Sequence, residues 1–178
     1  MVCTRIVFSG KRIRVEAGEV TLPNGVTCYK EVIRHPGAVV ILPFINEREI
    51  ILVKQYRYPV NEWIYELPAG TIEKNEKPEE TAYRELEEET GFKAGVLKHL
   101  LTFYTTPGIC DEKMHAYVAY NLVKTKQKLE KGELLETKIV SFNDAVEMIE
   151  RGLIKDAKTI VAILYYKLFS TKHFQRPI

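Results

Sequence analysis

The 178 residues predict a mixed α/β (α+β) domain, a mixed β-sheet sandwiched between helices and preceded by a small β-rich region. Strand-like runs dominate and are interleaved with only a few helical ones, so the regular strand–helix alternation of a doubly wound sheet is missing. One charged helix lies mid-chain behind a glycine-led loop, and two amphipathic helices close the sequence. The 46% of hydrophobic residues suffices for one core, and the length suits one domain with an appendage.

Residues 1–37 read as that appendage. Strand-like stretches at 5–8, 12–15 and 26–33 are separated by turn residues at Ser9-Gly10 and Pro23-Asn24-Gly25. A sheet this small needs something to pack against. The main domain is expected over 38–178. Stretches 38–44 and 49–58 are expected to pair about Asn46-Glu47-Arg48, and a short strand ends at Leu67, completing the start of a central sheet. A helix then begins near Pro78, which tolerates the first turn, and ends at Gly91, which suits a left-handed cap. Ala82 and Leu86 form its buried side. Strands follow at 98–105, 113–123 and 137–142. Ser141 with Asp144 signals the cap of the next helix, whose apolar face is Ala145, Val146, Met148 and Ile149 and whose end is Gly152. Ile160, Ile163, Leu164 and Leu168 give the last helix its stripe.

A net charge of +2 without any Lys/Arg block argues against a nucleic-acid partner. No apolar run reaches the length of a membrane span, and the N-terminus lacks the pattern of a secretory leader, so a soluble, cytoplasmic protein is expected. Cys3, Cys28 and Cys110 are odd in number and lack metal-ligand spacing, which points to reduced thiols. His35 precedes a proline and His115 lies in a strand, while His99 and His173 have no companions in sequence; none is expected to be catalytic.

The stretch from Gly70 to Phe92, GTIEKNEKPEETAYRELEEETGF, carries the chemistry. On a helix Glu85, Glu88 and Glu89 converge while Glu87 points elsewhere. Such like charges oppose one another, and only Arg84 is placed to pair, with Glu88. Clustered carboxylates are hard oxygen ligands suited to Mg²⁺ or Mn²⁺. The spacing is specific: Gly70, five residues, Glu76, seven residues, Arg84-Glu85-Leu86, one residue, Glu88-Glu89, one residue, Gly91 and an apolar Phe92. A chance match at one starting point is below about one in 10⁷. This is the full pattern of the Nudix box, and the chain resembles the Nudix hydrolases, more closely their ADP-ribose pyrophosphatase branch, from about Ala38 to Phe169.

The resemblance implies a Nudix fold in which the carbonyl of Ala69 and the carboxylates of Glu85, Glu88 and Glu89 bind metal, with Arg84 orienting Glu88. Glu76 is placed with the substrate-binding residues. Pro107, sixteen residues after Gly91, matches the spacing of ADP-ribose pyrophosphatases, which assigns Thr106, Gly108 and Glu112 to the substrate, with Asp111 as a further acceptor for ribose hydroxyls. Arg57 matches a family arginine facing the diphosphate. The general base in similar enzymes is a glutamate in the loop before the first closing helix. Here Glu133 aligns best and Glu136 second, and box glutamates such as Glu88 serve in some relatives. Tyr29, Tyr56 and Tyr104 are candidates to stack on adenine. In similar pyrophosphatases the N-terminal strands cross to a second subunit, so a homodimer is expected. The expected reaction turns ADP-ribose into AMP and ribose 5-phosphate. Two alternatives stay open: another nucleotide substrate, because the box encodes only metal and diphosphate, or a non-catalytic nucleotide-binding module.

Overall fold

The computed structural model describes residues 2–173; residues 1 and 174–178, and the side chains of residues 2 and 170–173 including His173, lie outside the described residues. The N-terminal region forms a three-stranded antiparallel sheet, β1 (Val2–Ser9), β2 (Arg14–Thr21) and β3 (Thr27–Arg34), in that order. β2 starts later and runs further than expected, because its small pair Ala17-Gly18 leaves no alternation to read.

β4 (Ala38–Pro43) is buried at every position. It lies between β7 (Ala69–Thr71) and β10 (Lys113–Tyr120) in a four-stranded sheet of order β7-β4-β10-β9, where β9 is Val96–Tyr104. β4 and β10 run parallel, from Ala38 opposite Met114 to Pro43 opposite Ala119. β5 (Glu49–Arg57) belongs instead to a three-stranded antiparallel sheet between β12 (Leu135–Ser141) and β6 (Glu62–Glu66). The expected pairing of β4 with β5 is therefore corrected: the two part after one bridge, Phe44 to Ile50. Each is an apolar run with both edges already occupied, so neither has an edge to offer the other. Two pieces too short to show a period, β8 (Phe92–Lys93) and β11 (Val123–Lys124), pair with each other.

Alternation along β4 assigns its faces. Val39 and Ile41 meet Ala82 and Leu86 of α1 (Pro78–Thr90), together with Tyr117 and Ala119. Val40 and Leu42 face a larger core with Leu52, Leu67, Met114, Val118, Ile163 and Tyr166, closed by α2 (Phe142–Glu150) and α3 (Ala157–His173). Helices thus cover opposite faces of a mixed sheet. Fully burying each of these Leu or Ile side chains stabilises by about 1.5–3 kcal/mol.

The helix ends follow their sequence signals. Gly91 caps α1 at φ 71°, and its N–H donates to the Glu87 carbonyl at 2.8 Å. The Asp144 N–H donates to Ser141 Oγ at 3.0 Å, capping α2. The three cysteines are unpaired. His99, expected to stand alone, is joined to His115 through the Thr102 hydroxyl, at 2.9 and 3.1 Å, because β9 and β10 are neighbours in the sheet. No helix among the described residues is long and apolar enough to cross a membrane.

Candidate active site

β7 delivers Ala69 and Gly70 to the foot of α1. A Cβ at residue 70 would stand 1.9 Å from the Glu85 carboxyl carbon, so only glycine lets that carboxylate lie against the strand. The repulsion expected among the helix glutamates is resolved by Arg84, which does more than pair with Glu88. Its Nε and Nη2 each donate to Glu76 at 2.9 Å, and Nη1 donates to Glu85 at 2.8 Å and Glu88 at 3.0 Å. These hydrogen bonds, Arg84 first, hold the Glu76 carboxyl down at about 2. Glu87 points away and reaches Lys93 at 3.3 Å.

Glu89 has a different environment. It is 3% exposed, and its Oε2 accepts the Ala69 N–H at 3.0 Å. Burial pushes its carboxyl up to about 8, with the charges of Glu85 and Glu133 adding to the effect. Burial also raises the Glu85 carboxyl, opposed by Arg84.

These groups face an open cleft of about 1080 Å³. Ala69, Glu85, Glu88 and Glu89 line it, as do Arg57, Thr106, Glu112 and Glu133 from three other parts of the chain. Glu112 accepts the Thr105 hydroxyl at 2.6 Å, while Asp111 accepts the His35 N–H at 2.8 Å and an Arg34 N–H at 3.1 Å. Glu133 sits in the loop before β12, and its carboxylate accepts the Glu130 N–H at 2.9 Å.

Other expected residues stand apart. Glu76 is outside the cleft lining, with both oxygens bonded to Arg84 and one also to the Thr81 hydroxyl. Glu136 is exposed on β12, opposite Lys54, rather than in the loop. Gly108 borders a separate shallow depression of about 290 Å³ with Tyr104 and Pro107. Tyr29, Tyr56 and Tyr104 do not line the main cleft, and Tyr56 packs on Trp63 at 5.8 Å between ring centres. Sequence reasoning read the turn at Ser9-Gly10 but missed that residues 9–14 line the cleft, and it missed Asp156 and Lys158 in the wall. Asp156 directly before an apolar helix was a readable capping signal; Lys158 had none.

Among the described residues no three acidic, histidine or cysteine side chains close on one point. Arg84 draws Glu85 and Glu88 to itself while Glu89 turns to the Ala69 N–H. The donor set nevertheless fits a hard divalent cation, because it is all oxygen and its most buried member, Glu89, has the raised proton affinity that a neighbouring positive charge relieves.

Comparison with known proteins identifies the family and the fold. The NUDIX domain family matches residues 34–162. The chain is 44% identical to the ADP-ribose pyrophosphatase of Bacillus subtilis (strain 168), over 91% of this chain and 89% of that protein. It is 41% identical to the methanol dehydrogenase activator of Bacillus methanolicus, over 93% and 90%. Against the ADP-sugar pyrophosphatase of Mus musculus it is 31% identical, over 97% and 89%. The crystal structure of an ADP compounds hydrolase shares the fold at a TM-score of 0.84, with 22% identity and coverage of 98% and 95%. With Gly70, Glu85, Glu88 and Glu89 on one cleft and Arg84 bonded to two of these carboxylates, the chain belongs to the NUDIX domain family.

Proposed function

We propose that this protein hydrolyses the diphosphate bond of ADP-ribose, and of related ADP-sugars, to a nucleoside monophosphate and a sugar phosphate. The observation that carries this reading is the presence of Glu85, Glu88, Glu89, Arg57, Thr106, Glu112 and Glu133 on one cleft. Its relatives acting on ADP-ribose and ADP-sugars support the substrate class. Ala69, Glu85, Glu88 and Glu89 are the residues that would hold Mg²⁺, with Mn²⁺ as a substitute; bound there, the ion neutralises phosphate oxygens and makes phosphorus more electrophilic.

The chain's own groups do the rest. Arg57 offers planar N–H donors to diphosphate oxygens, and Thr106 and Glu112 address ribose hydroxyls. Arg84 holds Glu85 and Glu88 in place. Glu133 takes the proton of the attacking water as its oxygen bonds to phosphorus; the bridging P–O bond breaks and a phosphate monoester leaves. The protein is proposed to work as a homodimer. Its N-terminal sheet exposes Ile6, Phe8 and Tyr29 by more than half, a surface that a second copy would cover.

Incubation with ADP-ribose, ADP-glucose, NADH, diadenosine polyphosphates and 8-oxo-dGTP, each with Mg²⁺ or EDTA, tests the substrate. The expected result is Mg²⁺-dependent release of AMP and ribose 5-phosphate, fastest from ADP-ribose; preference for a triphosphate would reject the ADP-sugar reading. The base is tested by mutation. Glu133→Gln should lower kcat about 10²–10⁴-fold, whereas Glu136→Gln, on an exposed strand, should stay within about twofold of wild type. The opposite pattern would transfer the role to Glu136.

A further inference from the structure

Beside the cleft a carboxylate is buried even more deeply than Glu89. Glu66, at the end of β6, is 1% exposed. Arg57 donates to it through Nε at 2.6 Å and Nη2 at 2.8 Å, and Lys158 donates through Nζ. Lys158 also donates to Asp156 at 2.9 Å. Asp156 caps α3 by accepting the Thr159 N–H at 3.0 Å and its hydroxyl at 2.6 Å, and the Thr159 oxygen accepts the Leu67 N–H at 2.8 Å. The network therefore ties the end of β6 to the start of α3.

Two cations come out of this arrangement side by side. Arg57 and Lys158 both line the cleft, with side chains 36% and 14% exposed. The bidentate bond to Glu66 occupies two of the three guanidinium nitrogens and leaves the Nη1 donors; the ammonium spends two of its three N–H groups. The charges of Glu89 and Asp156 both act on Arg57, and the same cleft is lined by Arg57, Lys158 and the box carboxylates Glu85, Glu88 and Glu89. Stability is a poor reason to sink Glu66 here, since a buried ion pair is often no better than apolar side chains of the same volume. What the network secures is the position of two cationic heads at the cleft wall.

We propose that Lys158 is a substrate-binding residue that contacts the diphosphate oxygens beside Arg57, and that Glu66 is the positioning residue that holds the two cations together. This rests on the diphosphate reading above. A lysine that merely fastened α3 would need no access to the cleft.

The test uses Lys158→Met, Lys158→Arg and Glu66→Gln in the full chain with Mg²⁺, on whichever diphosphate the wild type cleaves fastest, with inorganic pyrophosphate as a competing probe. Lys158→Met should raise both KM and the pyrophosphate inhibition constant about tenfold while kcat stays within about threefold, and Lys158→Arg should restore both. Glu66→Gln, where it folds, should shift KM in the same direction and add little to Lys158→Met, because both act on one anchor. A folded Lys158→Met with unchanged KM and pyrophosphate inhibition overturns the proposal, as does a loss of fold in both lysine variants. A wild type that cleaves no diphosphate rejects the enzymatic reading instead; calorimetric binding of pyrophosphate to wild type and Lys158→Met then decides the role of Lys158, a tenfold loss supporting it and equal affinity overturning it.

Discussion

Glu89→Gln is expected to lower turnover of the ADP-sugar substrate by about a thousandfold or more, because it removes one unit of charge from a proposed ligand of the cation at the reacting diphosphate. The substitution is almost isosteric, and the amide oxygen of Gln can still accept the Ala69 N–H that Glu89 accepts at 3.0 Å. The fold should survive for a further reason. Burial pushes the Glu89 carboxyl up from 4.5 to about 8, so the folded chain favours the protonated form. A folded-state pKa above the unfolded one gives a contribution that is full below pH 4.5 and lost as pH rises through about 8. In EDTA, wild type should therefore lose melting temperature relative to Glu89→Gln as pH rises from 5 to 9, while Mg²⁺ raises the melting temperature of wild type more than that of the variant. Steady-state kinetics together with melting curves across that range check both parts. Activity within about twofold of wild type would rule out the ligand role.

The box helix was legible because its information is local. Pro78, Gly91 and the spacing of Ala82 and Leu86 mark its start, end and buried side within one short stretch, and the structure places α1 over Pro78–Thr90. The grouping of strands was less legible. β4 and β5 are apolar runs close in sequence, so a hairpin was the simplest reading, yet β4 takes β7 and the distant β10, while β5 takes the next strand, β6, and the distant β12. The same limit hid the wall of the site. Glu66 and Lys158 are 92 residues apart, and nothing near either in sequence marks the pairing. Arg84 shows an intermediate case: its contact with Glu88 follows from helical spacing, whereas its bidentate bond to Glu76 depends on how the loop after β7 folds back.

That fold-back makes the removal of Arg84 costly for stability as well. Arg84→Met keeps much of the side-chain volume but strands Glu76, Glu85 and Glu88 without their shared cation; the arginine is 26% exposed and Glu85 only 13%. Leaving partly buried carboxylates unpaired should destabilise by about 2–4 kcal/mol near neutral pH. The pH dependence identifies how much comes through Glu76. Its carboxyl is held at about 2, below the ordinary 4.5, so its contribution is present above pH 4.5 and lost as pH falls through about 2. After allowance for solvent screening that part is about 1–2 kcal/mol. Urea unfolding at pH 7 and at pH 3 should therefore show a gap between wild type and Arg84→Met that narrows in acid. Arg84→Lys should recover only part of it, since an ammonium supplies the charge but not the fork that engages Glu76 through two nitrogens. A gap of equal size at both pH values would mean that Arg84 stabilises through packing, and that the carboxylates around it are held apart by something other than its charge.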